Sequence, residues 1–168
     1  MQVEISREPK WSRIQHLFVL LTEKAKAPSS VPKALQHAVS ESGFSGRSDE
    51  SITLLAEEPR KVTLLGLGKE DALTLRGLRT AVYAVAKIAR KHRDSSIAVV
   101  FPYTLPGANE EQTTRLVADY LAQADYKYDA YLTTKKSEKP PAISAHLVGP
   151  GSIEPKQLRR LQAEARAL

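Results

Sequence analysis

Cysteine is absent from the 168 residues. That excludes disulfides, thiolate metal sites and a cysteine nucleophile, and it fits a reducing compartment. Aromatic residues are scarce, at 6%, and no recognised motif sets side chains against base edges. The longest apolar runs are far too short to span a bilayer. The N-terminus "MQVEISREPKW" carries acids and no apolar core of a signal peptide. No run of five or six like charges occurs, and there is no internal repeat or low-complexity segment. These absences predict a soluble, cytoplasmic protein with no membrane partner.

What is present suits one globular domain. Hydrophobic residues make up 42% and charged residues 26% of the chain, and the length allows a sizeable core. The formal net charge of +6 fits either an anionic partner or a surface kept soluble by Lys and Arg.

Read for periodicity, the chain alternates strand and helix. Val3 to Ile5 and Leu17 to Leu21 read as strands. The loop "APSSVP" leads to a helix "PKALQHAVSES" ending at Gly43, with Pro32 in its first turn and Ser29 or Ser30 as its cap. Ile52 to Ala56 and Lys61 to Leu65 are the next strands. A central helix runs from about Leu75 to His92, with Thr74 as its cap. Ile97 to Phe101 is a buried strand, and "LPGANEEQTTRLVADYLAQA" is a loop and then a helix. Tyr128 to Thr133 alternates as a strand, "KKSEKPP" is a loop, Ile143 to Val148 is the last strand, and "SIEPKQLRRLQAEARAL" is a final helix. This pattern predicts an α/β fold of three layers, with a mixed, mostly parallel sheet flanked by helices.

The final helix places Leu158, Leu161, Ala165 and Leu168 on one apolar face. No Gly, Asn or Pro ends it. Such a face needs a partner, either this domain or something beyond Leu168, and the missing stop signal suggests a chain trimmed from a longer protein.

The stretch "RKVTLLGLGKEDALTL" resembles the start of a phosphate-binding loop. A dinucleotide loop needs G-x-G-x-x-G, but position 71 is Asp; a P-loop needs G-x-x-x-x-G-K-[ST], but Lys69 is followed by Glu70. Both fingerprints fail. Gly66 and Gly68 then serve a sharp turn out of a buried strand, and no nucleotide is expected at that turn.

Catalytic groups do not assemble in the sequence. His16, His37, His92 and His146 include no pair at helical zinc spacing. His16 and His146 fall in or beside strands, where a satisfied packing histidine is expected, and His92 lies at a solvated helix end. Asp49, Glu50 and the run Lys69 to Asp71 read as loop or cap residues. Serines are numerous, but no G-x-S-x-G elbow occurs. The chain is therefore expected to hold no catalytic, cofactor-binding or metal-binding residue. The central helix carries a basic stripe of Arg76, Arg79, Lys87 and Arg90, with Tyr83 between, opposite Leu75, Leu78, Val82, Val85, Ala86 and Ala89. The stripe is either a solvated face or a contact to phosphates.

In order, "GFSGRSDESITL", "RKVTLLGLGKED" and "LRGLRTAVYAVAKIAR" resemble the N-terminal domain of the M17 leucyl aminopeptidases. Phe44, Gly46, Arg47 and Glu50 match the family's first segment; Gly66, Leu67, Gly68 and Lys69 match its second. "ADYLAQADYKYDAYLTTKK" and "QAEARAL" resemble later segments. The resemblance implies a macro-domain-like fold over residues 1–151, with residues 152–168 as a linker helix towards a catalytic domain. It implies a parent metalloexopeptidase, typically a hexamer, that removes N-terminal residues from peptides with two zinc or manganese ions. Those ions and the peptide belong to that other domain, whose Asn-Thr-Asp-Ala-Glu-Gly-Arg-like segment is not in this sequence. For this chain the resemblance implies a role in assembly and active-site access, with its own catalytic domain and further copies as partners. The alternative is a macro-like binding module for nucleotide or DNA, the latter weakly.

Overall fold

The computed structural model describes residues 1–124, 142–149 and 153–166. Strands β1 (Gln2–Ser6), β2 (His16–Leu21), β3 (Ser51–Leu55), β4 (Lys61–Gly66), β5 (Ser96–Val100) and β6 (Ser144–Val148) form one six-stranded sheet in the order β1-β6-β5-β2-β4-β3. Among the described strands, only the β3–β4 pair is antiparallel. The strand expected over Tyr128 to Thr133 lies outside the described residues.

Burial explains the residue choice in each strand. β2 reads His-Leu-Phe-Val-Leu-Leu and is buried at every position, as a strand covered on both faces must be. β3 is an edge strand and alternates between exposed and half-buried residues. Helix α1 (Lys33–Glu41) covers one face of the sheet; α2 (Leu75–Lys91), α3 (Glu110–Ala124) and α4 (Pro155–Arg166) cover the other. Two apolar clusters result, one on each face. The three-layer, mostly parallel α/β architecture agrees with the sequence reading.

Helix α2 starts where Thr74 caps it, its hydroxyl accepting from the Gly77 amide at 3.1 Å. Leu78, Val82, Val85, Ala86 and Ala89 are buried beneath it. Burial of each larger side chain contributes on the order of 1.5–3 kcal/mol. Two expectations are corrected. Leu75 is 47% exposed and lines a shallow surface groove with Pro106, Ala108 and Leu116, so it lies outside the packed face. Neither Ser29 nor Ser30 caps α1. Pro32 is itself the capping residue and makes no side-chain cap, and the Ser30 hydroxyl instead lies 3.2 Å from that of Tyr103.

Helix α4 packs its apolar face on this domain. Leu161 and Ala165 are buried, and Leu158 packs beside them; Leu168 lies outside the described residues. Gln162 adds a polar tie to the sheet edge. Its side-chain oxygen accepts from the Ile5 amide, and its nitrogen lies 3.5 Å from the Val3 carbonyl. A primary amide thus occupies the place of a neighbouring strand on β1.

Candidate functional site

The glycine turn and the Phe44–Glu50 loop meet beyond the C-terminal end of β4, and backbone hydrogen bonds join them. The Gly66 amide donates to the Glu50 carbonyl at 2.8 Å, and the Gly68 amide to the Gly46 carbonyl at 2.9 Å. The Leu67 amide donates to Leu21 at 2.9 Å, and Glu23 to Gly68 at 2.8 Å. Three loops, after β2, before β3 and after β4, are therefore bonded into one unit.

Glycine is required here for two distinct reasons. Gly68 has φ +79° and Gly46 φ +76°, a region that L side chains rarely adopt. Gly66 is needed for proximity: a Cβ there would sit 1.8 Å from the Arg47 carbonyl oxygen. These glycines let the turn close directly against the Phe44–Glu50 loop.

The Glu50 carboxylate holds the loop from inside. It accepts from the Ser45 amide at 3.1 Å, the Arg47 amide at 3.1 Å and the Ser45 hydroxyl. The bond from the Ser45 hydroxyl, then that from its amide, lowers the Glu50 pKa below the ordinary value.

At the opposite end of the sheet lies a buried polar cluster that the sequence does not reveal. His16 is fully buried, with Nδ1 2.7 Å from Asp94 Oδ2 and Nε2 2.7 Å from Thr63 Oγ1. Lys61 donates to the other Asp94 oxygen, and Thr53 Oγ1 lies 2.8 Å from Thr63 Oγ1. Desolvation lowers the His16 pKa, outweighing the opposing pull of the bond to Asp94, so the ring is neutral near pH 7. A carboxylate only accepts, so Nδ1 carries the proton and Nε2 accepts from Thr63. Phe18 stacks on the ring at 4.1 Å between centroids, and His92 meets it edge-on at 5.5 Å. His16 is thus the satisfied packing histidine expected, and His92 is exposed at the end of α2.

On the sheet face away from α2, Ser144, His146 and Glu4 come together. Ser144 Oγ is 3.4 Å from His146 Nε2, and His146 Nδ1 is 3.4 Å from Glu4 Oε2. This order imitates a nucleophile, base and acid. However, β6 pairs with strands on both sides, so its amides are committed to the ladder and offer no oxyanion hole. Among the described residues, no group of three or more His, Asp or Glu could hold a metal ion. None of their helices is long and apolar enough to cross a membrane.

The basic stripe is divided. Arg79 lies over the Tyr83 ring at 5.1 Å and donates to its hydroxyl, and Arg90 donates to the Ala124 carbonyl at 2.9 Å. Arg76 and Lys87 are exposed.

The mixed, mostly parallel α/β sheet with helices on both faces is a fold also found in a leucine aminopeptidase. The model of the cytosol aminopeptidase family, N-terminal domain, matches residues 19–135, and the chain belongs to that family. A probable cytosol aminopeptidase of Acaryochloris marina is 41% identical over 76 residues, covering 44% of this chain and 15% of its own length. One from Microcystis aeruginosa is 28% identical over 115 residues, covering 67% of this chain and 23% of its own. The chain thus matches less than a quarter of the length of these relatives. Among solved structures, a mutant tomato leucine aminopeptidase superposes with TM-score 0.66 at 21% identity, over 98% of this chain and 35% of that one. The bottromycin maturation enzyme BotP in complex with Mn gives TM-score 0.59 at 18% identity, over 91% and 29%. These structural likenesses concern the fold.

Proposed function

We propose that this chain is the non-catalytic N-terminal domain of an M17-type leucyl aminopeptidase. The carrying observation is the family match over residues 19–135. In this reading, residues 1–151 form the domain, and residues 152–168 lead towards a catalytic domain. The domain supports assembly, a hexamer in the parent enzyme, and shapes access to the active sites. The parent removes N-terminal residues from peptides in the cytoplasm with two zinc or manganese ions. The described residues of this chain do not fit such a metal pair, so no step of that chemistry is assigned to them.

The test compares this chain with the full product of its gene, using Leu-p-nitroanilide with added manganese or zinc. The full product is expected to turn over, and this chain alone is not. Metal-dependent turnover co-purifying with this chain would overturn the reading. Removing residues 1–151 from the full product is expected to change the number of copies per assembly, read by light scattering. An unchanged number of copies would sink the assembly role.

A further inference from the structure

The His16 cluster crosses three neighbouring strands and reaches the surface. His16 opens β2, Thr63 lies in β4, and Thr53 lies in the edge strand β3, directly opposite Thr63 in the ladder. His16 Nε2 lies 2.7 Å from Thr63 Oγ1, and Thr63 Oγ1 lies 2.8 Å from Thr53 Oγ1. His16 and Thr63 are buried, whereas Thr53 is exposed. The three polar groups form an unbroken chain from the interior to the sheet edge.

Counting hydrogens fixes the direction of this chain while the ring is neutral. Nδ1 donates to Asp94, so Nε2 takes the single hydroxyl hydrogen of Thr63. With that hydrogen committed, the Thr53 hydroxyl donates to Thr63 Oγ1. A further proton on His16 has to arrive at Nε2, because Nδ1 already carries one. The titratable groups facing the ring are Asp94 just before β5, Lys61 at the start of β4 and His92 at the end of α2. Asp94 meets the ring at Nδ1, and Lys61 is bonded to Asp94, so neither delivers a proton to Nε2. Among the described residues, the hydrogen-bonded path from Nε2 runs through Thr63 to Thr53.

We propose that Thr53 and Thr63 form a proton relay that serves His16 and reverses its direction when the imidazole is protonated. The transfer is concerted. Thr63 passes its hydroxyl proton to Nε2, Thr53 passes its own to Thr63 Oγ1, and a hydronium ion in the solvent gives one to Thr53 and leaves as water. Each hydroxyl loses one proton and gains one, so the positive charge ends on the imidazole beside Asp94. Afterwards Nε2 donates to Thr63, Thr63 donates to Thr53, and Thr53 turns its hydrogen outwards. The buried groups of the chain stay paired in both states, as buried polar groups require. The charge of an interior ring is thereby displayed at the edge of the sheet, as a hydroxyl that donates inwards in one state and outwards in the other.

The test follows the ring nitrogens of His16 by NMR in the nitrogen-labelled chain. Near neutral pH, Nδ1 is expected to carry the proton and Nε2 to be bare. On acidification His16 is expected to titrate while the chain is still folded, which circular dichroism verifies. Thr53→Val keeps the β-branched shape that suits a strand but removes the acceptor at the end of the relay. The protonated state then leaves the Thr63 hydrogen unpaired, and the His16 midpoint is expected to fall by about half a pH unit or more. Thr53→Ser restores the hydroxyl and is expected to titrate as the parent chain does, which a purely steric role for Thr53 would not produce. The proposal is overturned if Nε2 carries the proton near neutral pH, or if the parent chain unfolds before His16 titrates. It is equally overturned if Thr53→Val titrates as the parent does, or if Thr53→Ser behaves like Thr53→Val.

Discussion

The imidazole of His16 and the carboxylate of Asp94 lie 2.7 Å apart with almost no access to water. They join the first residue of β2 to the turn that leads into β5. Replacing His16 with Leu removes this bond and the one from Thr63, whose hydroxyl is left with Thr53 as its partner. The expected loss is about 2–4 kcal/mol, read by urea denaturation. A variant within about 0.5 kcal/mol of the parent would show that the bond contributes nothing.

The same pair predicts a pH dependence. The folded His16 pKa lies below the ordinary 6.5, so the unfolded chain binds the proton more tightly. The stabilising effect is fully present above pH 6.5 and declines as pH falls towards the folded value. Thermal melts between pH 7.5 and 5 should fall for the parent chain and fall less steeply for His16→Leu. Parallel profiles would contradict this.

Gly66→Ala and Gly107→Ala separate collision from conformational strain. The first drives a methyl group into the Arg47 carbonyl and should cost at least about 3 kcal/mol. Gly107 has φ +84° but nothing within 4 Å of the added atom, so only about 1 kcal/mol is expected. Gly68→Val, with φ +79° at the site, should also lower the melting temperature. Equal losses for Gly66→Ala and Gly107→Ala would remove proximity as the reason for Gly66.

Glu50→Gln should loosen the loop it holds. Hydrogen exchange at the Ser45 and Arg47 amides is expected to accelerate, while amides of β2 keep their protection. In the parent chain, the depressed Glu50 pKa means that this contribution is present above pH 4.5 and is lost as pH falls through the folded value. Unchanged exchange at both amides would show that the carboxylate is dispensable.

DNA binding by this chain should be weak and without sequence choice. Arg79 and Arg90 bond within the domain, which leaves the stripe divided. A mobility-shift series at rising salt should show affinity falling with a slope near −0.9 per phosphate contacted. A strong preference for one of two unrelated duplexes at about physiological ionic strength would overturn this.

The central strands were legible because strands buried on both faces must be apolar throughout, as β2 is. Helix α2 was legible from its Thr74 cap and its 3.6-residue period. Leu75 shares that period yet lies outside the packed face, and periodicity carries no information about where the covering ends. The serines before α1 were misread because Pro32 itself takes the capping position and Ser30 turns to Tyr103. The His16 cluster was hidden for another reason: His16 and Asp94 are 78 residues apart, and only the strand order brings them together. Gln162 was equally silent, since an exposed-looking helix residue becomes a sheet-edge partner 157 residues from Ile5.

The edge position of β1 has a consequence for synthesis. Its strand partner is β6, where Gln2 pairs with Ser144. At about 5–20 residues per second, the first strand leaves the ribosome on the order of ten seconds before its partner exists. During that interval Val3 and Ile5 belong to an unpaired apolar segment, the kind that holding chaperones recognise. The nascent chain can complete β2 against β4 and β5 early, but the sheet closes only when its last strand arrives, and Gln162 seals the edge after that.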